Sequence, residues 1–155
     1  MFALMQSAHV ESLHLSVDPV TGLKAVIAIH STRLGPALGG CRYLAYPNDE
    51  SAVSDAIRLA QDMSYKAALA GLAVGGAKAV IMRAPHVESR AALFEAFGRC
   101  VEQLDGRYIT AIDSGTSPLD MDCIPQHTLH VSSTTAADDP STHTAMGVFA
   151  GIRST

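Results

Sequence analysis

Residues 71–82 read GLAVGGAKAVIM, a glycine-rich turn and one lysine set directly before an apolar run. Two readings compete for the stretch: a loop that cradles phosphate, or a lysine presented for other chemistry. A phosphate loop of the GxxxxGK(S/T) type follows a strand, opens a helix and carries a metal-binding hydroxyl after its lysine. Here Ala77 separates Gly76 from Lys78, Ala79 stands where the hydroxyl belongs, and the order is helix, loop, strand. The phosphate reading fails on each count. A lysine at the head of a buried strand is instead partly desolvated, which lowers its pKa and makes it a usable base or electrophilic partner near neutrality.

Working outward from this stretch gives the fold class. Upstream, Asn48 or Asp49 caps a helix in which Val53, Ala56, Ile57, Ala60, Met63, Ser64 and Ala67 recur at helical spacing as far as about Leu69. Lys66 lies about one turn after Met63, where an ordinary solvated lysine is the plain alternative to a functional one. Downstream come the strand AVIM, a helix from about Val87 to Leu104 and the strand RYITAI. That strand ends at Asp113, which projects before Ser114, Gly115 and Thr116 from a strand end, where ligands of α/β sheets bind. Toward the N-terminus, HVESLHLSVDP and TGLKAVIAIHS flank the turn residues Asp18, Pro19, Thr21 and Gly22 and read as an antiparallel hairpin. LGPALGGCRYLAYP, rich in glycine and proline, reads as a loop with a short strand inside it, and TTAADDPST, residues 134–142, as a linker. The expectation is an α/β fold: a three-layer αβα domain with a mixed, largely parallel sheet and an N-terminal antiparallel hairpin.

Composition narrows the chemistry. A chain of 155 residues, 48% hydrophobic and 17% charged, fits one compact domain with a real core. Its formal net charge is -4 and its basic residues are dispersed, so there is no footprint for nucleic acid or an anionic membrane. No apolar stretch approaches the roughly 20 residues of a membrane span, and MFALMQSAHVES lacks the basic start and apolar centre of a signal peptide. A cytoplasmic protein is expected. Cys41, Cys100 and Cys123 have no CxxC spacing and are odd in number, the pattern of reduced thiols. Cys123, His127 and His130 have a spacing that suits metal ligands, but a fourth ligand and a closed zinc pattern are missing, so no metal site is assigned. The methionine-rich and apolar helix faces read as core packing, and small-molecule chemistry is the expectation.

Three segments, LGPALGGCR (34–42), MSYKAALAGLAVGGAKAVI (63–81) and GRYITAIDSGT (106–116), resemble the substrate domain of the leucine, phenylalanine and valine dehydrogenases, relatives of glutamate dehydrogenase, with the leucine enzymes nearest. The resemblance runs from about Thr21 to Gly151. It implies NAD-dependent oxidative deamination of an L-amino acid to a 2-oxo acid and ammonium. By position, Lys66 would bind the substrate carboxylate, Lys78 would activate water against the imine, and Asp113 would exchange protons with the amino group. Leu38, Gly39, Gly40, Met63 and Ala111 would shape the floor and side-chain pocket, and Thr144 in HTAMG would lie near the nicotinamide. Residues 1–140 would form the substrate and oligomerisation domain, residues 141–155 a linker and first helix toward an NAD-binding domain, and the chain would assemble as a homo-oligomer.

Four positions and one missing motif depart from that pattern. No GxGxxG fingerprint of a dinucleotide-binding fold occurs in the sequence, so NAD, the family's cofactor, is not expected to bind this chain, and the isolated chain is expected to be inactive. Ala77 stands for a usual glycine; if the position needs a positive φ, its methyl group costs about 1 kcal/mol and displaces Lys78. Asp62 replaces a small residue, and Pro118 and Leu119 fall where small or polar residues are expected. Exchanges of this kind can stabilise a domain, which suggests a truncated, re-engineered substrate domain. The alternative from another class is a non-catalytic, self-assembling module that keeps the fold.

Overall fold

The computed structural model describes residues 1–137 and 140–154; Asp138 and Asp139, in the middle of the expected linker, lie outside the described residues. A short helix α1 (Phe2–Ser7) leads into β1 (Ser12–Asp18) and β2 (Leu23–Ser31), then β3 (Ala37–Leu44), α2 (Asp49–Leu69), β4 (Gly75–Met82), α3 (Arg90–Glu102), β5 (Tyr108–Ile112), α4 (Pro118–Met121) and α5 (Pro140–Arg153). The five strands form one sheet in the order β1-β2-β4-β3-β5. β1 pairs with β2 and β2 with β4 antiparallel, while β3 pairs with both β4 and β5 in parallel. Four strands therefore run one way and β2 alone opposes them, the mixed, largely parallel sheet that the sequence pattern predicts.

Alternation along the strands builds the two cores. Leu23, Ala25, Ile27 and Ile29 of β2 join Ala77, Ala79 and Ile81 of β4 beneath Leu93, Phe94, Phe97 and Val101 of α3. On the opposite face Val26, Ala28 and Val80 pack under Ala52, Val53, Ala56, Ile57 and Ala60 of α2. Strands covered on both faces need a near-continuous apolar run, and LKAVIAIHS and GGAKAVIM supply it. Asn48 caps α2, its Oδ1 accepting from Ser51 N at 2.8 Å, and Ser89 caps α3, its Oγ accepting from Ala92 N at 3.2 Å.

Several local expectations need correction. LGPALGGCRYLAYP is no loop with a short strand in it, because β3 is a full strand between β4 and β5. Gly39 and Gly40 within it serve the close approach of neighbouring chain, whereas Gly35 stands at a positive φ in the turn before the strand. The lysine stretch is likewise strand from Gly75 onward, which places Lys78 in mid-strand. Ala77 is fully buried in the core under α3, and its φ is not positive, so the strain expected of its methyl group does not arise. The helix α3 starts three residues later than expected, at its Ser89 cap, and α1 was not legible because it is short and has no side-chain cap. Pro118 stands in the first turn of α4, where the missing N–H costs nothing, behind a reciprocal cap between Ser117 and Asp120. Asp62 faces Arg58 one turn earlier on α2 at 3.5 Å.

Candidate active site

Lys78 leaves β4 on the face covered by α2. Strand registers place Leu38 beside Gly76, and Gly40 beside Ala111, so alternation puts Leu38, Gly40, Lys78, Ala111 and Asp113 on this one face. The Lys78 ammonium reaches across β3 to form an ion pair with Asp113. Gly40 makes that crossing possible: a Cβ there would lie 2.8 Å from the Asp113 Cβ. Gly39 is constrained differently, since a Cβ there would lie 1.7 Å from the Ala77 carbonyl oxygen, and its own carbonyl accepts from the Tyr108 hydroxyl at 2.8 Å.

The end of α2 brings the second lysine. Gly76 has no side chain, and a Cβ there would meet Ser64 N at 2.2 Å, so the helix backbone rides directly on the strand two residues before Lys78. Met63, partly buried, and Lys66, exposed in the last turn, are carried on this segment. His30 Nδ1 and Ser64 Oγ lie 2.7 Å apart and tie the end of β2 to the same turn. Thr144 is exposed on α5, its hydroxyl donating to the Pro140 carbonyl at 3.0 Å; among the described residues it makes no hydrogen bond to the others. An open depression of about 940 Å³ lies between α1 and the end of β2, yet its lining lacks Lys78 and Asp113, and it is the charged pair that concentrates reactive groups.

Electrostatics separate Lys78 from an ordinary lysine. Burial lowers its pKa, Asp113 opposes the fall, and the cations of Arg42 and Lys66 lower it further. Lys66 is the weakest of these influences; it stands in the last turn of α2, whose backbone lies against the strand at Gly76. Burial pushes the Asp113 carboxyl up, but Lys78, the Ser114 backbone and Arg42 outweigh it and hold the group below the usual range. The loop after β5 is pinned around this carboxylate: Thr116 Oγ1 accepts from Asp113 N at 2.8 Å, and Tyr43 N donates to the Ser114 carbonyl at 3.0 Å. Arg90 closes the loop from beneath, donating twice to Asp120 at 2.6 and 2.8 Å and once to the Gly115 carbonyl at 2.7 Å.

Three polar residues that sequence reasoning left out adjoin the pair. Arg42 Nη1 donates to Asp55 Oδ2 at 2.8 Å, and its Nε lies 3.5 Å from Asp113 Oδ2. Tyr46 donates to the same Asp55 oxygen at 2.7 Å. Burial and Asp55 raise the Tyr46 pKa to about 12. The signal was present, because Arg42 follows Gly40 by two and so shares its face. Among the described residues no group of three or more His, Cys, Asp or Glu side chains is placed to hold a metal ion, and no helix is long and apolar enough to cross a membrane.

Comparison with known proteins sets this geometry in context. The family model described as Glu/Leu/Phe/Val dehydrogenase, dimerisation domain, matches residues 8–130. Leucine dehydrogenase of Bacillus subtilis (strain 168) is 46% identical, over 99% of this chain and 43% of its own length. Valine dehydrogenase of Streptomyces virginiae is 47% identical, over 99% of this chain and 44% of its own. Among solved structures, L-tryptophan dehydrogenase from Nostoc punctiforme superposes with a TM-score of 0.80 at 42% identity, over 84% of this chain and 39% of that one. The chain thus spans less than half the length of the relatives it matches.

Proposed function

The chain belongs to the Glu/Leu/Phe/Val dehydrogenase family, and from that premise we propose that it is the substrate-binding domain of a leucine-type amino acid dehydrogenase. The reaction is oxidative deamination: L-amino acid, NAD⁺ and water give 2-oxo acid, ammonium, NADH and a proton. The observation that carries this reading is the partly buried Lys78 and Asp113 ion pair, on a sheet face covered by α2, whose last turn carries Lys66.

Each group then has a task. Lys66 pairs with the substrate α-carboxylate through a charge-assisted contact. Leu38, Met63 and Ala111 receive an aliphatic side chain, and Gly39 and Gly40 form the strand floor between them. Lys78, its amine made less basic by burial, takes a proton from the water that adds to the imine carbon. Asp113 exchanges a proton with the nitrogen, which leaves as ammonium. NAD supplies the acceptor for the hydride that leaves Cα. The sequence holds no glycine-rich turn of the kind that receives a pyrophosphate, so cofactor contact is assigned to no residue here beyond Thr144, and the isolated chain is expected to bind no NAD. Residues 1–140 are assigned to substrate binding and oligomerisation, and 141–155 to the connection toward a dinucleotide domain. Homo-oligomerisation is supported by the family's description as a dimerisation domain.

The test is reconstitution with a separately expressed dinucleotide-binding domain of a leucine dehydrogenase, following leucine-dependent NADH formation. Turnover is expected in the mixture and not from the chain alone. Lys66→Ala should mainly raise KM, and Lys78→Ala should mainly lower kcat. A Lys78→Ala variant that changes KM alone would reverse the assignment. A folded chain that never supports turnover would favour the non-catalytic, self-assembling module.

A further inference from the structure

We propose that Arg42 is a positioning residue for Asp113, the counter-ion that keeps this carboxylate ionised and in place when Lys78 gives up its proton. The proposal rests on the reading of Lys78 and Asp113 as the reacting pair.

The geometry has three parts. Arg42 is anchored from outside the pair by its Nη1 bond to Asp55 at 2.8 Å, and Asp55 is itself fixed by Tyr46 at 2.7 Å and Arg58 at 2.8 Å. That anchoring leaves the Nε edge of the guanidinium turned toward Asp113 Oδ2, 3.5 Å away. Arg42 Nε is buried and donates no hydrogen bond of good geometry, and a buried donor left unmatched is costly. The carboxylate oxygen it faces, Asp113 Oδ2, is the one already paired with the Lys78 ammonium. The arrangement is that of a carboxylate with two alternative cationic partners.

The consequence follows from counting charge. With Lys78 protonated, Asp113 is neutralised by the ammonium and Arg42 by Asp55. When the Lys78 proton passes to solvent or substrate, Asp113 would stand alone as an anion with only 18% of its side chain exposed, a state that burial disfavours. The guanidinium, which stays charged throughout, fills that vacancy without moving from Asp55. Every charged group facing Lys78 enters this balance: Asp113 beyond β5, Arg42 from β3 and Lys66 from α2. Cys41, fully buried on the other side of β3, is held neutral by burial and takes no part.

The experiment is a pH titration of the chain by NMR, following Lys78 Cε and the Asp113 carboxyl carbon, with no substrate or cofactor. In Arg42→Met the Lys78 and Asp113 midpoints should both move up, because the lysine must keep its proton to hold Asp113. In Arg42→Lys, which keeps the charge, the Lys78 midpoint should stay near the parent value. If Arg42→Met does not give a dispersed, folded spectrum, Arg42→Gln, which keeps a donor for Asp55 and loses the charge, carries the same expectation. An unmoved Lys78 midpoint in the neutral variant, or equal shifts in the neutral and lysine variants, would overturn the proposal. The titration needs no turnover, so it separates from the deamination assay: coupling between Arg42 and Lys78 together with a reconstituted enzyme indifferent to Lys78→Ala would refute the reacting-lysine assignment alone.

Discussion

Gly76→Ala tests how the fold delivers the site. The added Cβ would lie 2.2 Å from Ser64 N, 2.4 Å from Ser64 Oγ and 2.7 Å from the Ala60 carbonyl oxygen. Ordinary contact needs about 3.5 Å, so the helix must lift from the strand by roughly 1 Å at this point. The obstacle is backbone on both sides, which no rotamer change relieves. Lifting α2 loosens Ala56, Ile57 and Ala60 from Val26, Ala28 and Val80, and overpacking of this kind costs about 1–3 kcal/mol or more. Urea unfolding followed by circular dichroism should show a lower midpoint, and thermal unfolding a fall of roughly 2–4 °C for each kcal/mol lost. Adding Ser64→Ala should not restore it, since Ser64 N remains in the way. Gly147→Ala provides the contrast: its Cβ meets nothing within 4 Å on exposed α5, so the change should be neutral or slightly stabilising. A Gly76→Ala chain with the parent midpoint and slope would refute the close approach of helix and strand.

Ala77→Gly should destabilise by about 1 kcal/mol, through the flexibility of glycine in a strand and the loss of a buried methyl group; an unchanged urea midpoint would mean the Ala77 methyl contributes nothing to the core under α3. Arg90→Leu removes both bonds to Asp120, whose side chain is only 7% exposed, and should cost roughly 1–3 kcal/mol at neutral pH, toward the low end because Arg90 itself is half exposed. Burial raises the Asp120 pKa, but Arg90 and Ser117 outweigh it, so the folded value lies below the ordinary 3.8. The stabilisation is therefore complete above that ordinary value and is lost as pH falls through the folded one; urea melts in which the gap between parent and variant persists at strongly acid pH would contradict this. Light scattering should give a mass above 16.3 kDa in the micromolar range, and a constant monomer mass would remove the proposed homo-oligomer.

The parts of the fold that were legible are those in which a side-chain period and a cap coincide. α2 combines helical spacing with Asn48, and β2 combines β-branched residues with a turn at Gly22, so both could be placed almost to the residue. β3 was hidden because its two glycines serve a different purpose from the one composition suggests. In PALGGCRYL they allow Ala77 and Asp113 to approach the strand, and that requirement is set by neighbours distant in sequence. The same holds for Ala77, whose φ depends on pairing with β2 rather than on its flanking glycines. Lys66, Lys78 and Asp113 could be singled out from motifs, whereas Arg42, Asp55 and Tyr46 could not, because their relation to Asp113 depends on the crossover that sets α2 above β3. Alternation from Gly40 to Arg42 would have placed the guanidinium on the right face, but only once β3 was recognised as a strand.

The balance of charge on that face bears on the substrate. Lys78 is matched by Asp113, Arg42 by Asp55, and Arg58 by Asp62 as well as Asp55. Lys66 forms no ion pair among the described residues and is exposed, so this group of residues carries about one cation more than it carries anions. Under the proposed function, the single α-carboxylate of a substrate would neutralise that surplus. A substrate with a second carboxylate in its side chain would bring one negative charge too many, and the partly buried Leu38, Met63 and Ala111 offer it neither a donor nor a cation. Under the proposed function, the charge balance and the apolar lining therefore select in the same direction, toward an amino acid with a neutral, aliphatic side chain. They do so through different physics, since the first weakens as salt rises and the second does not.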